Sequence, residues 1–399
     1  MVRYGLTAPV MKILLAHNRY SNRGGEDAVF DQERDLLVGR GHEVIEYLKD
    51  NREIDEARPI TLGIDSIWSA NVFSDVKRLI DRVKPDIVHV HNTLPQLSPA
   101  IYYSAAAHSV PVVQTLHNYR LLCPNGLLLR DSAVCEDCVG RAIAWPAVRY
   151  RCYRGSRGAT AAVVSTLSLH RAVGTWRTKV TRYIALCEFA RSKMLKGGLP
   201  PDRVVVKPNF ALDRHANADL NAPRKSGLFI GRFSEEKGLG VLIDAWRTLD
   251  VDLEIIGPGG PMAEQVHVAA SEHFKPIGFV DVDSLSLAMR RAAFIVIPSL
   301  VYEGFPMVVA ESFAAGLPII ASRLGALAEL VEDGVSGLHF SPGDSTDLAA
   351  KVRWARDNPQ RMAEMGRRAR QIYLAHYTPD ANYKRLMEIY HEAIAALQR

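Results

Sequence analysis

Short apolar runs, each closed by a polar turn and followed by helical periodicity, recur along this chain. Met11–Ala16 is continuous rather than alternating, as a strand buried on both faces requires. It leads into a polar loop, His17–Glu26, that ends on Gly24 and Gly25, and then into a helical pattern from Asp27 to about Gly39. Val29, Phe30, Leu36 and Leu37 form the apolar side of that helix. His42–Leu48 predicts a second strand, Ile64–Val83 a helix, Asp86–His91 a third strand, Leu97–His108 a helix and Val110–His117 a fourth strand. Strands alternating with helices imply a doubly wound parallel sheet, in which ligands bind beyond the carboxyl ends of the strands. His17, His91 and His117 fall at such ends. His117 ranks first, because an irregular segment follows it; the bland alternative for each is ordinary hydrogen bonding. The loop lacks G-x-G-x-x-G, so it is no dinucleotide fingerprint, and two glycines after a strand also suit a plain tight turn.

The irregular segment covers about 118–158 and holds Cys123, Cys135, Cys138 and Cys152, with eleven, two and thirteen residues between them. A C-x₂-C pair flanked by two further cysteines can give four thiolates to one structural tetrahedral zinc, provided the outer two fold back onto the pair. The alternative is a set of thiols without metal. Four cysteine ligands would leave no position for a catalytic water. The fifth cysteine, Cys187, ends a strand at Arg182–Cys187 and reads as packed. Ala159–Val173 reads as a helix, Glu188–Lys196 as another, and Arg203–Lys207 as a strand.

Pro208–Arg224 is polar and punctuated by Pro208 and Pro223, with Asn209, Asp213, Asn217 and Asn221 between them, and reads as a linker. The strand–helix pattern then restarts: Ser226–Ile230, Leu253–Gly257, Phe274–Val280, Phe294–Pro298 and Leu317–Ser322 are strand-like runs. Asp333–Phe340 reads as a turn and strand, two helices fill Thr346–Tyr373, and Thr378–Leu397 is a last helix.

Composition fits this picture. A chain of 399 residues is long for one core, so two domains are expected. Hydrophobic residues at 48% and charged residues at 23% suit a globular enzyme, and no apolar run reaches membrane-spanning length. The first ten residues are too short and polar for a secretory signal, so a cytoplasmic setting is expected. The net charge of +5 is unevenly placed. Residues 139–182 carry Arg141, Arg149, Arg151, Arg154, Arg157, Arg171, Arg177, Lys179 and Arg182 and no acidic residue. Such a field attracts phosphates, including those of an anionic membrane surface on the inner face, where the chain would be peripheral.

One stretch concentrates the chemistry: Ser299-Leu-Val-Tyr-Glu-Gly-Phe-Pro-Met-Val-Val-Ala-Glu311. Glu303 lies in a Gly/Pro loop after an apolar strand. Glu311, about two helical turns beyond Glu303, lies on the helix that begins near Pro306, and the first amides of that helix suit a phosphate. Arg232 and Lys237 flank a turn before another helix. Such cations suit a diphosphate, the guanidinium as a planar fork and the ammonium as a mobile point charge. As partners of Glu235 and Glu236 they would be ordinary surface ions.

These residues together resemble family 4 of the retaining glycosyltransferases. The carrying elements are Gly24-Gly-Glu26, His117, Gly231-Arg-Phe-Ser-Glu-Glu-Lys-Gly238, Glu303-Gly-Phe-Pro-Met-Val-Val-Ala-Glu311, Gly316-Leu-Pro318 and Asp333-Gly-Val-Ser-Gly337. The resemblance implies the GT-B fold: two Rossmann-like doubly wound parallel-sheet domains facing a cleft, here with a cysteine-containing insertion. Residues 1–210 would form the acceptor-side domain and 211–377 the nucleotide-sugar domain, with 378–399 a helix crossing back to the first. Arg232 and Lys237 would hold the donor diphosphate, and Glu311 the ribose. Glu303 would face the transferred sugar, with the amides of Gly304, Phe305 and Met307 lining sugar and phosphate. Gly24 and Gly25 would let the first domain close on the diphosphate, and His117 would border the sugar. Asn118 stands where many relatives have Asp, and the linker after Asn209 lacks a frequent glycine.

The implied donor is a nucleotide diphosphate-sugar. The implied acceptor is a glycan or lipid-linked sugar, in cell-surface polysaccharide or glycolipid synthesis. The leaving diphosphate can be stabilised by two cations and helix amides without a divalent metal, and front-face transfer is favoured over a Glu303 nucleophile. Two competing classes are a zinc-containing nucleic-acid-binding protein, which accounts for nothing after Ser226, and a catalytically silent scaffold, which the intact Arg232, Lys237, Glu303 and Glu311 oppose. Nucleic acid is not an expected partner.

Overall fold

The strands form two separate six-stranded parallel sheets in a computed structural model that describes residues 10–21, 23–54, 59–216, 219 and 224–398. Residues 1–9, and Asn217, Asn221 and Pro223 of the expected linker, lie outside the described residues. The first half contributes β1 (Lys12–Arg19), β2 (Glu43–Asp50), β3 (Ile87–Asn92), β4 (Val112–Leu116), a small hairpin of β5 (Leu129–Arg130) and β6 (Ala133–Val134), β7 (Arg182–Ala185) and β8 (Val204–Val206). The first sheet runs in the order β2-β1-β3-β4-β7-β8. The second half contributes β9 (Ser226–Ile230), β10 (Leu253–Ile256), β11 (Phe274–Gly278), β12 (Ala292–Ile297), β13 (Ile319–Ser322) and β14 (Gly337–Phe340), in the order β11-β10-β9-β12-β13-β14. Both orders reverse direction at an inner strand. The crevice beyond the carboxyl ends of β9 and β12 is therefore the switch point of the second sheet.

The central strands are largely apolar because helices cover both faces, with His89, His91, Gln114 and Thr115 as buried polar exceptions. Ile13, Leu15, Ile87, Val113 and Ile184 meet Phe30 and Leu37 of the first helix, Gly25–Gly39, on one side of the first sheet. The final helix, Pro379–Leu397, buries Leu386, Ile389, Tyr390 and Ala393 in that same cluster. The chain thus ends on the domain where it began.

Local boundaries depart from the sequence expectation where capping chemistry intervenes. The helix expected over Ile64–Val83 is two helices, Pro59–Ile67 and Ala70–Val83, because the Ser69 hydroxyl accepts from the Val72 amide at 3.3 Å and starts a new helix. The helix expected over Leu97–His108 is confined to Ala100–Ala106. Pro306 is not in the first helical turn: it is the N-cap, with ψ 126°, and Met307–Ala314 follows it. No helix among the described residues is long and apolar enough to cross a membrane.

A buried ion pair ties the final helix to the first sheet. Lys207 Nζ lies 2.9 Å from Glu33 Oε2 and donates to Asn382 Oδ1 at 3.2 Å, and the side chains of Lys207 and Glu33 are each 1% exposed. Burial would raise the Glu33 carboxyl, but Lys207 and the neighbouring histidines outweigh it and hold it well below the usual glutamate range. A depressed acid contributes stability above its unfolded pKa of about 4.3, lost as pH falls through the folded value. Removing one member of such a pair strands the other charge. Lys207→Met should therefore cost about 3–5 kcal/mol in urea unfolding at pH 7. A loss below about 1 kcal/mol would show that the pair does not hold the final helix.

Candidate active site

Two loops meet at the switch point of the second sheet. After β9 the chain runs through Gly231–Gly238; after β12 it runs through Ser299–Phe305. They touch because Gly238, at φ +75°, has no Cβ: one would sit 1.8 Å from the Pro298 carbonyl oxygen. This contact brings Lys237 Nζ to 2.7 Å from Glu303 Oε1, and the Ser299 hydroxyl donates to the same oxygen at 2.7 Å. Arg232 is exposed and turned toward Glu236, at 2.6 Å. Burial pushes the Glu236 carboxyl up, but the Ser234 hydroxyl and Arg232 prevail and hold it below the ordinary value. Of the two expected diphosphate cations, Lys237 meets Glu303 directly, while Arg232 flanks the loop on an acidic neighbour of its own.

The acidic loop is fixed from the other domain by its carbonyls. Tyr119 Oη donates to Glu303 O at 3.1 Å, Cys187 Sγ to Gly304 O at 3.3 Å, and Asn209 Nδ2 to Phe305 O at 3.3 Å. Gly304 permits the approach: a Cβ there would lie 2.7 Å from the His117 carbonyl oxygen. The amides of Gly304, Phe305 and Met307 donate to no protein acceptor among the described residues. The Met307 amide stands at the positive end of its helix. Glu311 is half-buried on that helix. Burial raises its carboxyl above the usual value, and Arg214 opposes the rise.

Across the cleft, His117 ends β4 and its Nε2 lies 3.0 Å from Nδ1 of His91, at the end of β3. His17 instead pairs with Asp27 at 2.9 Å, buried beneath the loop. Gly24 and Gly25 are exposed, and a Cβ added to either meets nothing within 4 Å, so the fold itself does not require glycine there. The neighbouring Glu26 is held by Asn118 Nδ2 at 2.7 Å and Tyr20 Oη at 2.9 Å. Asn118, the departure from the family pattern, thus fastens the first helix to the segment after His117.

Sequence reasoning missed four side chains here. Ser299 and Tyr119 hold Glu303, through its carboxylate and its carbonyl. Glu33 and Lys207 lie beneath the histidines. Their signal in the sequence, a charge inside an apolar pattern, is weak, because which face of a helix or strand end is covered is not written locally.

The four expected zinc ligands share one neighbourhood, without three of them at metal-ligand spacing among the described residues. Cys123 and Cys138 are buried and Cys135 and Cys152 half-buried, and neighbouring thiols add to each other's shifts. Burial above all pushes Cys138 up to about 11. A tetrahedral zinc with bonds of about 2.3 Å would draw all four sulfurs to about 3.8 Å of one another. No three of them come within 4.8 Å; the one such group of three among the described residues is Glu33, His89 and His91. Cys123 Sγ donates to Asn125 Oδ1 at 3.0 Å.

The basic segment is also narrower than its count. Arg171 donates to the carbonyls of Arg141, Ala142 and Leu121, and Arg182 lies 3.5 Å from Glu392. Arg141, Arg149, Arg151, Arg154 and Arg157 stay exposed, among the exposed Ile143, Trp145 and Tyr150.

Two facing parallel-sheet domains with a cationic and acidic loop pair at the switch point define the GT-B fold of glycosyltransferases. Comparison with known proteins agrees. Residues 24–211 match the family described as Glycosyltransferase Family 4, and residues 224–358 match Glycosyl transferases group 1. The phosphatidyl-myo-inositol mannosyltransferase of Mycobacterium leprae is 35% identical over 198 residues, covering 46% of this chain and 52% of that protein. The chain spans about half the length of the curated relatives it matches. Among solved structures, Anabaena HepE in complex with UDP has a TM-score of 0.67 at 17% identity, covering 95% of this chain and 99% of that one. Sucrose-phosphate synthase from Thermosynechococcus elongatus has a TM-score of 0.70 at 17% identity, covering 97% and 100%. At that identity these two show the fold alone.

The contact at Gly304 gives a direct test of domain closure. Gly304→Ala should leave both domains folded, cost about 1–3 kcal/mol and enlarge the radius of gyration in small-angle scattering. An unchanged radius and stability would mean that the approach to His117 does not hold the cleft.

Proposed function

We propose that this chain is a retaining glycosyltransferase that moves a sugar from a nucleotide diphosphate-sugar to a glycan or lipid-linked acceptor. The carrying observation is the Lys237–Glu303 pair, 2.7 Å apart at the switch point and beside the unengaged amides that precede and open the Met307–Ala314 helix. In this reading the diphosphate lies against those amides and Lys237, and Arg232 swings from Glu236 to meet it. The ribose is held by Glu311, and the sugar is oriented by Glu303 from one side and bordered by His117 from the other. Gly24 and Gly25 leave room at the first helix for the diphosphate. The bond from the anomeric carbon to the phosphate oxygen breaks, and the nucleoside diphosphate leaves with the electron pair. The acceptor oxygen bonds to the same face of that carbon, and its proton passes to the departing phosphate. The developing charge is stabilised by fixed amides and cations, chemistry that asks for no divalent metal.

A donor panel tests this. The fitting nucleotide sugar should raise the melting temperature, because it binds the folded state alone. Glu303→Gln should keep that shift while kcat falls about a hundredfold or more. A trapped glycosyl adduct on Glu303 would overturn front-face transfer, and no response to any nucleotide sugar would overturn the donor assignment.

The acceptor is read from the exposed arginines. Arg141, Arg149, Arg151, Arg154 and Arg157 stand among exposed aromatic and aliphatic side chains, a surface suited to anionic lipid headgroups at the inner membrane face. The Mycobacterium leprae relative is named for transfer to such a lipid. Reversing Arg149, Arg151 and Arg154 to Glu should weaken binding to phosphatidylglycerol-containing vesicles about a hundredfold, at roughly 1 kcal/mol per basic residue. Unchanged vesicle binding would remove the membrane from the proposal.

A further inference from the structure

The cysteine-bearing segment of the first domain reaches the second and touches both loops of the candidate donor site. Its β5–β6 hairpin turns through Asp131 and Ser132, at φ +50° and +60°. At that tip the Ser132 hydroxyl donates to Glu235, in the loop after β9. Just beyond the hairpin, Glu136 stands between Cys135 and Cys138 and meets the loop after β12. There Tyr302 Oη donates to Glu136 Oε1 at 3.1 Å.

Glu136 is set firmly in its own domain. The Cys135 amide donates to Leu128 O at 2.7 Å, and the Val139 amide to Glu136 O at 3.0 Å. Arg130 pairs with Asp137 at 2.6 Å and lies 4.2 Å from the centre of the Tyr150 ring. Lys193 and Lys196, on the helix Glu188–Lys196, both donate to the Glu136 carboxylate. Burial would raise that carboxyl, but the two lysines and Tyr302 prevail and hold it below its ordinary value. Burial and Glu136 raise the Tyr302 phenol. A carboxylate that stays charged thus faces a phenol that keeps its proton, which makes the bond a charge-assisted one.

Tyr302 is equally confined. Its ring packs edge-on against Phe189, with centres 4.7 Å apart, and Lys193 Nζ lies 4.9 Å from its centre. Gly325 makes room for it, since a Cβ there would sit 2.8 Å from Tyr302 Cδ1. Two lysines already match the charge of Glu136, so the phenol is not needed to neutralise it. What the bond fixes is the residue directly before Glu303. Lys237 and Ser299 hold the Glu303 carboxylate. A diphosphate that takes Lys237, as proposed above, removes the first of these and leaves the loop to its remaining anchors.

We infer that Glu136 is a positioning residue for the proposed transfer: acting through Tyr302, it keeps Glu303 in place once the donor has taken Lys237. The kinetic role rests on that proposed transfer, whereas the contact between Glu136 and Tyr302 does not. The anchor matters after the donor has bound, so its loss falls on kcat rather than on the donor KM.

Carbon-13 NMR of protein labelled at the tyrosine ring carbon that bears the hydroxyl reads the contact without substrate, with Tyr302 assigned by its loss in Tyr302→Phe. The Tyr302 signal should move in Glu136→Ala. Kinetics use the nucleotide sugar that gives the largest thermal shift, with water as acceptor, and follow the nucleoside diphosphate released. In Glu136→Ala and in Tyr302→Phe kcat should fall about tenfold, the worth of one charge-assisted hydrogen bond, with the donor KM within about twofold of wild type. The double variant should be no slower than either single one, because both remove the same bond. Glu136→Gln, whose amide oxygen still accepts, should recover most of the loss. An unmoved Tyr302 signal in Glu136→Ala would overturn the contact and the inference with it. A moved signal with unchanged kcat, or with the loss in KM alone, would overturn the positioning role. Losses that multiply in the double variant, or a Glu136→Gln as slow as Glu136→Ala, would overturn the route through Tyr302. A wild type that turns over no nucleotide sugar would fault the glycosyltransferase reading and the kinetic role together, while the Tyr302 signal still decides the contact.

Discussion

Three consecutive backbone carbonyls hold this molecule's two halves in register. Glu303, Gly304 and Phe305 give their oxygens to Tyr119, Cys187 and Asn209, a phenol, a thiol and an amide that belong to the first domain or to the segment joining it to the second. A loop so fastened has little freedom left. Its carboxylate, its free amides and the helix behind it keep fixed positions relative to a different sheet. That arrangement depends on Gly304, because a side chain there would meet the His117 carbonyl. Each bond is modest in net worth, about 1 kcal/mol. Their joint effect is orientation rather than stability.

The electrostatics follow from that clamp. Lys237 and Glu303 come from different loops of one sheet and neutralise each other, and Arg232 is matched by Glu236. A diphosphate bound here would compete with carboxylates for both cations, so binding would also loosen Glu303 from Lys237 and leave it to a sugar. On the opposite wall the polar groups are sealed under His117 and anchored by the final helix. One wall can thus rearrange its pairs while the other stays set.

Much of this was legible in the residues. The continuous apolar runs located the strands of both sheets within a few residues, since a strand covered on both faces has few polar positions to spare. The spacing of Glu303 and Glu311, one in a loop and one on the following helix, located the candidate site, since motif chemistry is local. The misplaced boundaries lie where a single hydroxyl or ring overrides periodicity, at Ser69 and Pro306. Cysteine spacing says which sulfurs are able to meet: the four share one neighbourhood, and among the described residues no three of them reach ligand spacing.

By itself the sequence determined the fold class and the two-part layout, because each of these is carried by neighbours along the chain. Only the tertiary structure decided that Lys237 faces Glu303, that Tyr119 and Asn209 hold the acidic loop, and that Lys207, Glu33 and His91 line up under His117. Lys237 and Glu303, Tyr119 and Glu303, Asn209 and Phe305, and Lys207 and Glu33 are separated by 66, 184, 96 and 174 positions. Contacts over such separations depend on strand order and on which strand ends lie side by side. The order of two doubly wound sheets is a property of packing, with no local signature to be read.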